Sequence, residues 1–155
     1  MSDEDFWEEI YKKAFPGMVC QMKHDGKSQS QQLGIDRIIH FRSGKTLYID
    51  EKKRRKEYPD ILLECAHIGN NGNKWPGWIE KDLLIDYLAY AFMPSRKVLL
   101  YDWQMLRLAW VQNKQKWFDK FKPVSAENKD YKTYSLPIAF ADLHKAVSVA
   151  RIIII

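Results

Sequence analysis

The sequence has few cysteines that could form disulfide bonds and lacks the long apolar runs that could anchor it in a membrane. Among 155 residues there are only two cysteines, Cys20 and Cys65, which is too few for a disulfide framework. Cys65 and His67 have a spacing that could begin a zinc site, but no second ligand pair follows, so zinc is disfavoured. No apolar run is long enough to cross a bilayer, and the N-terminal segment is acidic. We therefore expect a cytoplasmic protein with reduced thiols, without a signal peptide or a membrane span.

The charge of the sequence is moderately basic and unevenly distributed. The formal net charge is +5 and the pI is near 9.1, which favours a polyanionic partner. Residues 3 to 9 are acidic, whereas residues 52 to 56 form an uninterrupted basic run. Such a run is often a solvated turn or a targeting signal, but beside an active site it would contact phosphates without reading sequence. With 46% hydrophobic and 29% charged residues, we expect a soluble globule with one domain over residues 1–155.

Helical spacing is clearest near the start of the sequence. Ser2 and Asp5 have the spacing of a helix N-terminus, and the acidic residues there suit the positive end of the helix dipole. An apolar stripe at helical spacing follows, formed by Phe6, Trp7, Ile10, Tyr11 and Ala14. Because Pro16-Gly17 cannot continue a helix, we expect this first helix to end just before it.

The rest of the chain alternates between strand and helix patterns. Strands are predicted at residues 18–23, 34–41, 46–53, 61–65, 97–101 and 131–140, and at the terminal isoleucines 152–155 as an edge strand. Helices are predicted at residues 78–92, at residues 103 to about 121, and after Asp142, which can cap the last one. The predicted fold class is therefore α/β, with a mixed central β-sheet flanked by helices.

Two of these predicted strands carry the most informative residues. The first opens with Asp36, the second closes on Asp50-Glu51-Lys52, and a tight turn at residues 42–45 joins them. Asp50 and Lys52 are two apart and point to the same face of a strand. If the strands pair as a hairpin, Asp36 comes close to both. Two carboxylates and an ammonium at a sheet edge can hold Mg²⁺ and prepare a water for attack on a phosphate.

The same segment allows a second choice of face. Glu51 and Lys53 also lie two apart, on the face that carries Leu47 and Ile49. If that face were the working one, Asp50 and Lys52 would be buried against helices, at a cost of several kcal/mol unless they were paired. We therefore favour Asp50 and Lys52, and we keep Glu51 and Lys53 as the alternative.

The order of these features resembles the PD-(D/E)XK nuclease superfamily, which has the restriction-endonuclease-like fold. The resemblance covers about residues 2 to 103, and the layout is nearest to the Holliday-junction-resolvase-type members. It implies that Asp36 is the first acidic ligand, Asp50 the second and Lys52 the catalytic lysine. It also implies a Mg²⁺ or Mn²⁺ ion held by Asp36, Asp50 and a backbone carbonyl near Glu51. Lys52 would orient or deprotonate the attacking water and stabilise the charge that grows on the phosphate.

The sequence departs from this family pattern at two positions and leaves a third undecided. Ile35 stands where the family's proline would be, and the middle residue of the second motif, usually apolar, is Glu51. Resolvase-type members often add an acid from the first helix. Three residues compete for that role, Glu4, Glu8 and Glu9, and Glu64 would join them if residues 52–62 closed as a hairpin that placed it opposite Asp50. A bond from Glu64 to a basic residue is an equal alternative.

Aromatic residues and histidines are a weaker guide to function. Five of the six tryptophans, at positions 75, 78, 103, 110 and 117, fall in or beside helical patterns, which favours core packing. Trp75 is the exception, because it lies in a loop rich in glycine and asparagine where it could touch a substrate. His40 shares a predicted strand face with Asp36, but a structural histidine is the simpler interpretation.

From these observations we expect a Mg²⁺-dependent endonuclease that hydrolyses phosphodiester bonds in DNA. Basic residues 52–56 and 23–27 would hold the DNA backbone. The family layout suggests branched or repair-intermediate DNA, and a homodimer would supply two sites for cutting two strands. Three alternatives remain: a non-catalytic nucleic-acid-binding protein, an interaction protein with a solvated basic face, and an RNA nuclease. The sequence has no RRM-type aromatic motif to favour RNA.

Overall fold

The computed structural model describes residues 1–24 and 33–155. The elements, in chain order, are α1 (Asp3–Ala14), β1 (Met18–Lys23), β2 (Arg37–Phe41), β3 (Thr46–Arg54), β4 (Asp60–Gly69), β5 (Lys74–Pro76), a 3₁₀ turn (Trp78–Glu80), β6 (Tyr87–Phe92), β7 (Lys97–Asp102), α2 (Trp103–Lys120), β8 (Val124–Glu127), β9 (Tyr131–Ala139), α3 (Phe140–Ala146) and β10 (Arg151–Ile154). Part of the predicted DNA-contacting segment 23–27 lies outside the described residues.

The chain forms two compact units, each assembled from separate stretches. The first unit contains Met1–Glu57, Leu83–Trp103 and Val149–Ile155, and the second contains Tyr58–Asp82 and Gln104–Ser148. The expectation that residues 1–155 act as one nuclease domain stays a prediction. In the described part of the chain, no helix combines the length and the hydropathy that a membrane span requires.

A mixed sheet forms the centre of the first unit. Its strand order is β1-β2-β3-β6-β7-β10, and β3 pairs in parallel with β6, whereas the other neighbours are antiparallel. The prediction of an α/β chain with a mixed sheet is thus confirmed. The predicted edge strand of isoleucines is also confirmed, because β10 is the last strand in this order.

Helix α1 packs on the face of this sheet that carries Leu47 and Ile49 of β3. Its start is fixed by a capping box, in which Asp5 N–H donates to Ser2 Oγ and Ser2 N–H donates to the Asp5 carboxylate. The predicted apolar stripe of α1 is buried against a set of sheet residues that includes Ile39, Leu47 and Ile49. Because side chains alternate along a strand, Asp50 and Lys52 lie on the face of β3 opposite α1.

The predicted helix over residues 78–92 is wrong. Trp78–Glu80 form a single 3₁₀ turn, and Tyr87–Phe92 form β6, a strand between β3 and β7. A strand in this position is covered by neighbours on both edges, and five of its six residues are buried. Composition alone therefore does not show whether this continuous apolar run forms a buried helix or a central strand.

The second unit contains an antiparallel sheet with the strand order β5-β4-β9-β8. The predicted strands at residues 61–65 and 131–140 are confirmed as parts of β4 and β9, and the predicted helix at residues 103 to about 121 is α2. Helix α3 begins at Phe140, so Asp142 lies in its first turn and does not cap it. The short strands β5 and β8 were not predicted.

Candidate active site

The candidate site lies where β2 begins and β3 passes beside it. Asp36 immediately precedes β2, and its backbone N–H donates to the Ile49 carbonyl at 2.9 Å. Its Oδ2 atom accepts a hydrogen bond from the Glu51 N–H at 2.7 Å. The predicted hairpin is thus present, and in its register Arg37 lies opposite Ile49. Gly44 in the connecting turn has φ of +87°, a conformation that glycine adopts without strain.

Asp50 is a buried carboxylate that is paired with Lys52. Lys52 Nζ donates to Asp50 Oδ1 at 2.9 Å and is also 2.9 Å from Oδ2. Among the described residues, Oδ2 has no hydrogen bond of good geometry, although the Lys52 ammonium faces it. Asp50 is 3% exposed, so this ammonium offsets part of the cost of burying the carboxylate. The structure therefore brings Asp50 and Lys52 together, as the sequence predicts.

Burial raises the pKa of Asp50 to about 8. The Lys52 ammonium opposes this rise, whereas the neighbouring Asp36 carboxylate adds to it by hydrogen bonding and by charge repulsion. The raised pKa means that the Asp50 carboxyl holds its proton more tightly than a solvated aspartate does. Asp36 therefore lies beside Asp50, as expected from the strand register, in which the next residue, Arg37, lies opposite Ile49.

The opposite face of β3 carries a second set of charges, centred on Arg37. Arg37 Nε donates to Glu51 Oε1 at 3.0 Å, and its terminal nitrogens bond the Glu4 carboxylate of α1. The Arg37 side chain is 1% exposed and its guanidinium lies over the Tyr11 ring. Burial raises the pKa of Glu51, and the Arg37 charge limits that rise. Arg37 was missed at the sequence level, although an arginine on the face of β2 that also carries Ile39 needs a buried partner.

A cavity of about 250 Å³ opens on this second face. It is lined by Asp3, Glu4, Trp7, Lys23, His24, Asp36, Glu51 and Lys53. Lys53 forms an ion pair with Asp3, and Lys23 Nζ lies 3.3 Å from Glu4 Oε2. Asp36 is therefore the residue that the two faces share: it contacts Asp50 on one side and borders the cavity with Glu51 on the other.

The competing glutamates are separated by the structure. Glu4 reaches the cavity, whereas Glu8 pairs with Lys12 at 3.7 Å and Glu9 pairs with Arg96 at 3.3 Å. The hairpin over residues 52–62 that would have placed Glu64 opposite Asp50 does not form, because β3 pairs with β2 and β6 while Glu64 lies opposite Ser135 in the other sheet. Glu64 Oε1 is 2.9 Å from His67 Nε2, the basic partner that was the alternative.

His40, the basic run and the tryptophans considered at the sequence level have structural or solvent-exposed positions. His40 Nδ1 is 3.1 Å from Thr46 Oγ1, a cross-strand contact away from the carboxylates. In the basic run, Lys52 and Lys53 form ion pairs, and Arg55 and Lys56 are exposed just past the end of β3. Four of the tryptophans predicted in the core are buried, at positions 78, 103, 110 and 117, whereas Trp75 is exposed.

The carboxylates suit a hard divalent cation. Mg²⁺ prefers oxygen ligands and commonly takes one or two protein carboxylates while keeping several waters. Asp36 and Asp50 provide two such groups, and the Lys52 ammonium lies 2.9 Å from both Asp50 oxygens. Within residues 1–24 and 33–155, no three histidine, cysteine, aspartate or glutamate side chains are grouped closely enough to hold an ion. A divalent cation bound in this part of the chain would therefore have the Asp36–Asp50 pair as its side-chain ligands and would need backbone oxygen and water to complete its coordination.

Comparison with known proteins returned no matching family model, no matching curated protein and no matching solved structure. The resemblance to PD-(D/E)XK nucleases accordingly depends on the order and spacing of Asp36, Asp50 and Lys52 in this chain. Their functional interpretation follows from the chemistry of the carboxylate pair and the lysine beside it.

Proposed function

We propose that this protein is a metal-dependent endonuclease that hydrolyses DNA phosphodiester bonds, with a restriction-endonuclease-like fold. The observation that carries the proposal is the convergence of Asp36 with Asp50, while Lys52 Nζ lies 2.9 Å from both Asp50 oxygens. Two acids and a lysine at one end of a buried strand are expensive to maintain as structure alone, because burial penalises each charge.

In this proposal Asp36 and Asp50 hold Mg²⁺ or Mn²⁺, with the backbone carbonyl of Glu51 as a further oxygen ligand. A bound ion lowers the pKa of its water and neutralises charge on the phosphate. Asp50 has to release its proton before it can act as a ligand, and its raised pKa makes that release dependent on pH.

Lys52 has two tasks in the proposed reaction. Its ammonium keeps the Asp50 carboxylate oriented, through the hydrogen bond to Oδ1. Its side chain is 29% exposed, so it also reaches solvent, where a phosphate oxygen and the attacking water would lie. A positive group there stabilises the charge that develops as the phosphorus is attacked.

Substrate binding is assigned to the positive charge that follows the site. Arg55 and Lys56 are exposed immediately after β3, and contacts from them to phosphates would be indifferent to sequence and sensitive to salt. We extend the proposal to branched or repair-intermediate DNA and to a homodimer, by the layout of the family that the sequence resembles. Size-exclusion chromatography with light scattering would test the dimer.

One observation favours a second candidate, a nucleic-acid-binding protein without catalysis. The acids of the site already have protein cations as partners: Lys52 pairs with Asp50, and Arg37 lies between Glu4 and Glu51. If these pairs are purely structural, DNA binding will be unaffected by a chelator and no DNA will be cut.

The test is a cleavage assay with labelled linear, single-stranded and four-way-junction DNA in Mg²⁺, Mn²⁺ or EDTA. Asp50→Asn and Lys52→Ala should each abolish metal-dependent cutting, by at least about a hundredfold, because general acid–base and charge-stabilising groups contribute on that scale. Lys56→Ala is the matched control on the same strand end, and it should weaken DNA binding while cutting continues at saturating DNA.

The two faces of β3 give different patterns in the same assay. Cutting that survives Asp50→Asn and Lys52→Ala but fails in Glu51→Gln and Lys53→Ala would move the active site to the cavity face. Asp36→Asn should be inactive in either case, because Asp36 borders both faces. Binding that persists in EDTA, with no cleavage under either metal, would replace the nuclease with the binding protein.

A further inference from the structure

An exposed aromatic group projects from the sheet of the second unit. Trp75, on the three-residue strand β5, is 38% exposed. Its ring stacks on the His67 ring, with centroids 5.5 Å apart and planes 26° apart, and it lies 5.4 Å from the Tyr131 ring. We refer to Trp75, His67 and Tyr131 as the aromatic platform.

Polar partners hold the His67 ring in place under Trp75. His67 lies directly opposite both Trp75 and Thr133 in the sheet. Its Nε2 is 2.9 Å from Glu64 Oε1 and its Nδ1 is 3.0 Å from Thr133 Oγ1, so both ring nitrogens have partners. A ring fixed in this way loses little conformational freedom when a second ring stacks on the surface it supports, which favours binding.

Trp75 stands between two cavities of different chemistry. One, of about 660 Å³, is lined mainly by apolar and aromatic side chains, including Pro76, Phe118, Pro123 and Tyr134. The other, of about 380 Å³, is lined by Gly69, Asn70, Asn71, Asn73 and Asp130. Trp75 belongs to the walls of both. The ligand suited to such a place has a flat face for stacking and an edge with hydrogen-bond donors and acceptors.

The charges around the platform indicate what that ligand is joined to. Lys74 lines the apolar cavity and is exposed, and exposed Lys129 precedes Asp130 of the polar cavity. The acid of the apolar cavity, Glu80, is already bonded by Lys114 at 3.2 Å. A flat ring with polar edges that is linked to negative charge is a nucleobase attached to its phosphate.

We propose that the second unit binds an unpaired base of single-stranded DNA by stacking it on Trp75. The polar edge of the base faces the asparagine cavity, and exposed Lys129, which precedes Asp130 of that cavity, contacts the adjoining phosphate. In duplex DNA the faces of the bases are occupied by neighbouring base pairs, so this site selects unpaired regions. The choice of DNA as the polymer rests on the proposed nuclease function, and the site would direct that enzyme to branched or frayed substrates.

The test is fluorescence anisotropy with labelled oligothymidylate and with a duplex of the same length, in EDTA so that cutting cannot intervene. Trp75→Ala should weaken oligothymidylate binding by about 5- to 150-fold, the range that corresponds to one base–aromatic stack, and leave duplex binding unchanged. Trp75→Phe should restore most of the affinity. Val111→Ala removes an exposed apolar side chain of the same unit away from both cavities, and it should have no effect.

A measurement on the unaltered protein covers the case in which Trp75→Ala does not fold. An oligothymidylate carrying 5-iododeoxyuridine is cross-linked to the protein by light, and the linked peptide is identified by mass spectrometry. We expect cross-links at Trp75 or Tyr131. Cross-links found only in other segments, or oligothymidylate binding that is equal in wild-type protein and folded Trp75→Ala, would overturn the site. Tighter, Trp75-dependent binding of oligouridylate than of oligothymidylate would overturn the assignment to DNA.

The outcome for the base-binding site can be distinguished from the outcome for the nuclease proposal. If no metal supports cleavage but single-stranded DNA binds in a Trp75-dependent way, the base site stands and the protein is a binding module. If DNA is cut and Trp75→Ala binds oligothymidylate normally, the nuclease stands and the base site fails. Asp50→Asn separates them further, because it should lose cutting while retaining oligothymidylate binding.

Discussion

Arg37 Nε donates to Glu51 Oε1 at 3.0 Å across the buried face of the β2–β3 hairpin, and the same guanidinium bonds Glu4 of α1. Three elements of the first unit therefore meet at one side chain that is 1% exposed. Such a network adds little stability compared with apolar residues in place of all its members. Removing a single member, however, leaves a buried charge without compensation.

Arg37→Met should accordingly lower the free energy of unfolding by about 3–5 kcal/mol, since Glu51 would remain buried without its cation. Urea denaturation followed by circular dichroism measures the change. Arg42→Met, in the exposed turn of the same hairpin, is the control and should change stability by less than about 0.5 kcal/mol. A loss below about 1 kcal/mol in Arg37→Met would mean that Glu51 is solvated more freely than its burial indicates.

The raised pKa of Asp50 predicts how stability changes with pH. In the unfolded chain this carboxyl titrates near its usual pKa of about 4, whereas in the folded protein its pKa is about 8. Between those values the folded state holds a proton that the unfolded state has lost, so the free energy of unfolding falls as pH rises. Below about pH 4 and above about pH 8 this carboxyl adds no further slope.

Asp50→Asn should remove that slope, because an amide does not titrate in this range. Denaturation midpoints measured in EDTA between about pH 5 and pH 8 should fall less steeply in the variant than in the wild-type protein, by up to about 1.4 kcal/mol per pH unit. Asp82→Asn alters a fully exposed carboxylate and serves as the control. Parallel pH profiles for wild type and Asp50→Asn would show that Asp50 is ionised throughout.

The capping box at the start of α1 should be measurable by itself. Ser2→Ala removes the Oγ that accepts from Asp5 N–H, and it should cost about 1 kcal/mol of stability. Ser2→Asp keeps an acceptor oxygen at the same position and should retain most of the stability. Thermal unfolding of the two variants measures this difference in stability. Identical midpoints would mean that the helix starts later than Ser2.

Gly77 is required by space and not by its backbone angles. A Cβ at this position would overlap the backbone carbonyl of Glu64, while the Gly77 N–H donates to the Cys65 carbonyl at 2.9 Å. Gly77→Ala should therefore destabilise the protein by about 1–3 kcal/mol or more, as overpacking does. Gly17→Ala is the matched control, because its Cβ would meet only Phe41 at 4.0 Å. Faster amide exchange in β4 and β5 of Gly77→Ala would locate the damage.

The local sequence pattern was sufficient to predict an element that is amphipathic and bounded by residues that end helices or strands. Helix α1 follows from its capping residues and apolar stripe, and the β2–β3 hairpin follows from two apolar runs around a glycine turn. The proximity of Asp36, Asp50 and Lys52 follows from that hairpin and from the two-residue period of strands. These are features that neighbouring stretches of sequence determine between themselves.

Pairing between distant strands and burial on both faces of a strand could not be predicted from local sequence patterns. The run at β6 lies between two strands and is buried on both faces, which removes the alternation that would distinguish it from a helix. Strands β5 and β8 are short and exposed, so they have no apolar pattern at all. The bond from Arg37 to Glu4 joins residues 33 positions apart, and only the packing of α1 on the sheet brings them together.

The pairing of β7 with β10 has a consequence during synthesis. Lys97–Asp102 are translated well before Arg151–Ile154, and until the later strand emerges from the ribosome, β7, four of whose six residues are buried in the finished protein, is itself the edge strand. At about 5–20 residues per second the interval lasts a few seconds. An open apolar edge recruits strands from other chains. The nascent protein is therefore prone to aggregate in that interval, and slow codons placed between the two strands should lower its soluble yield.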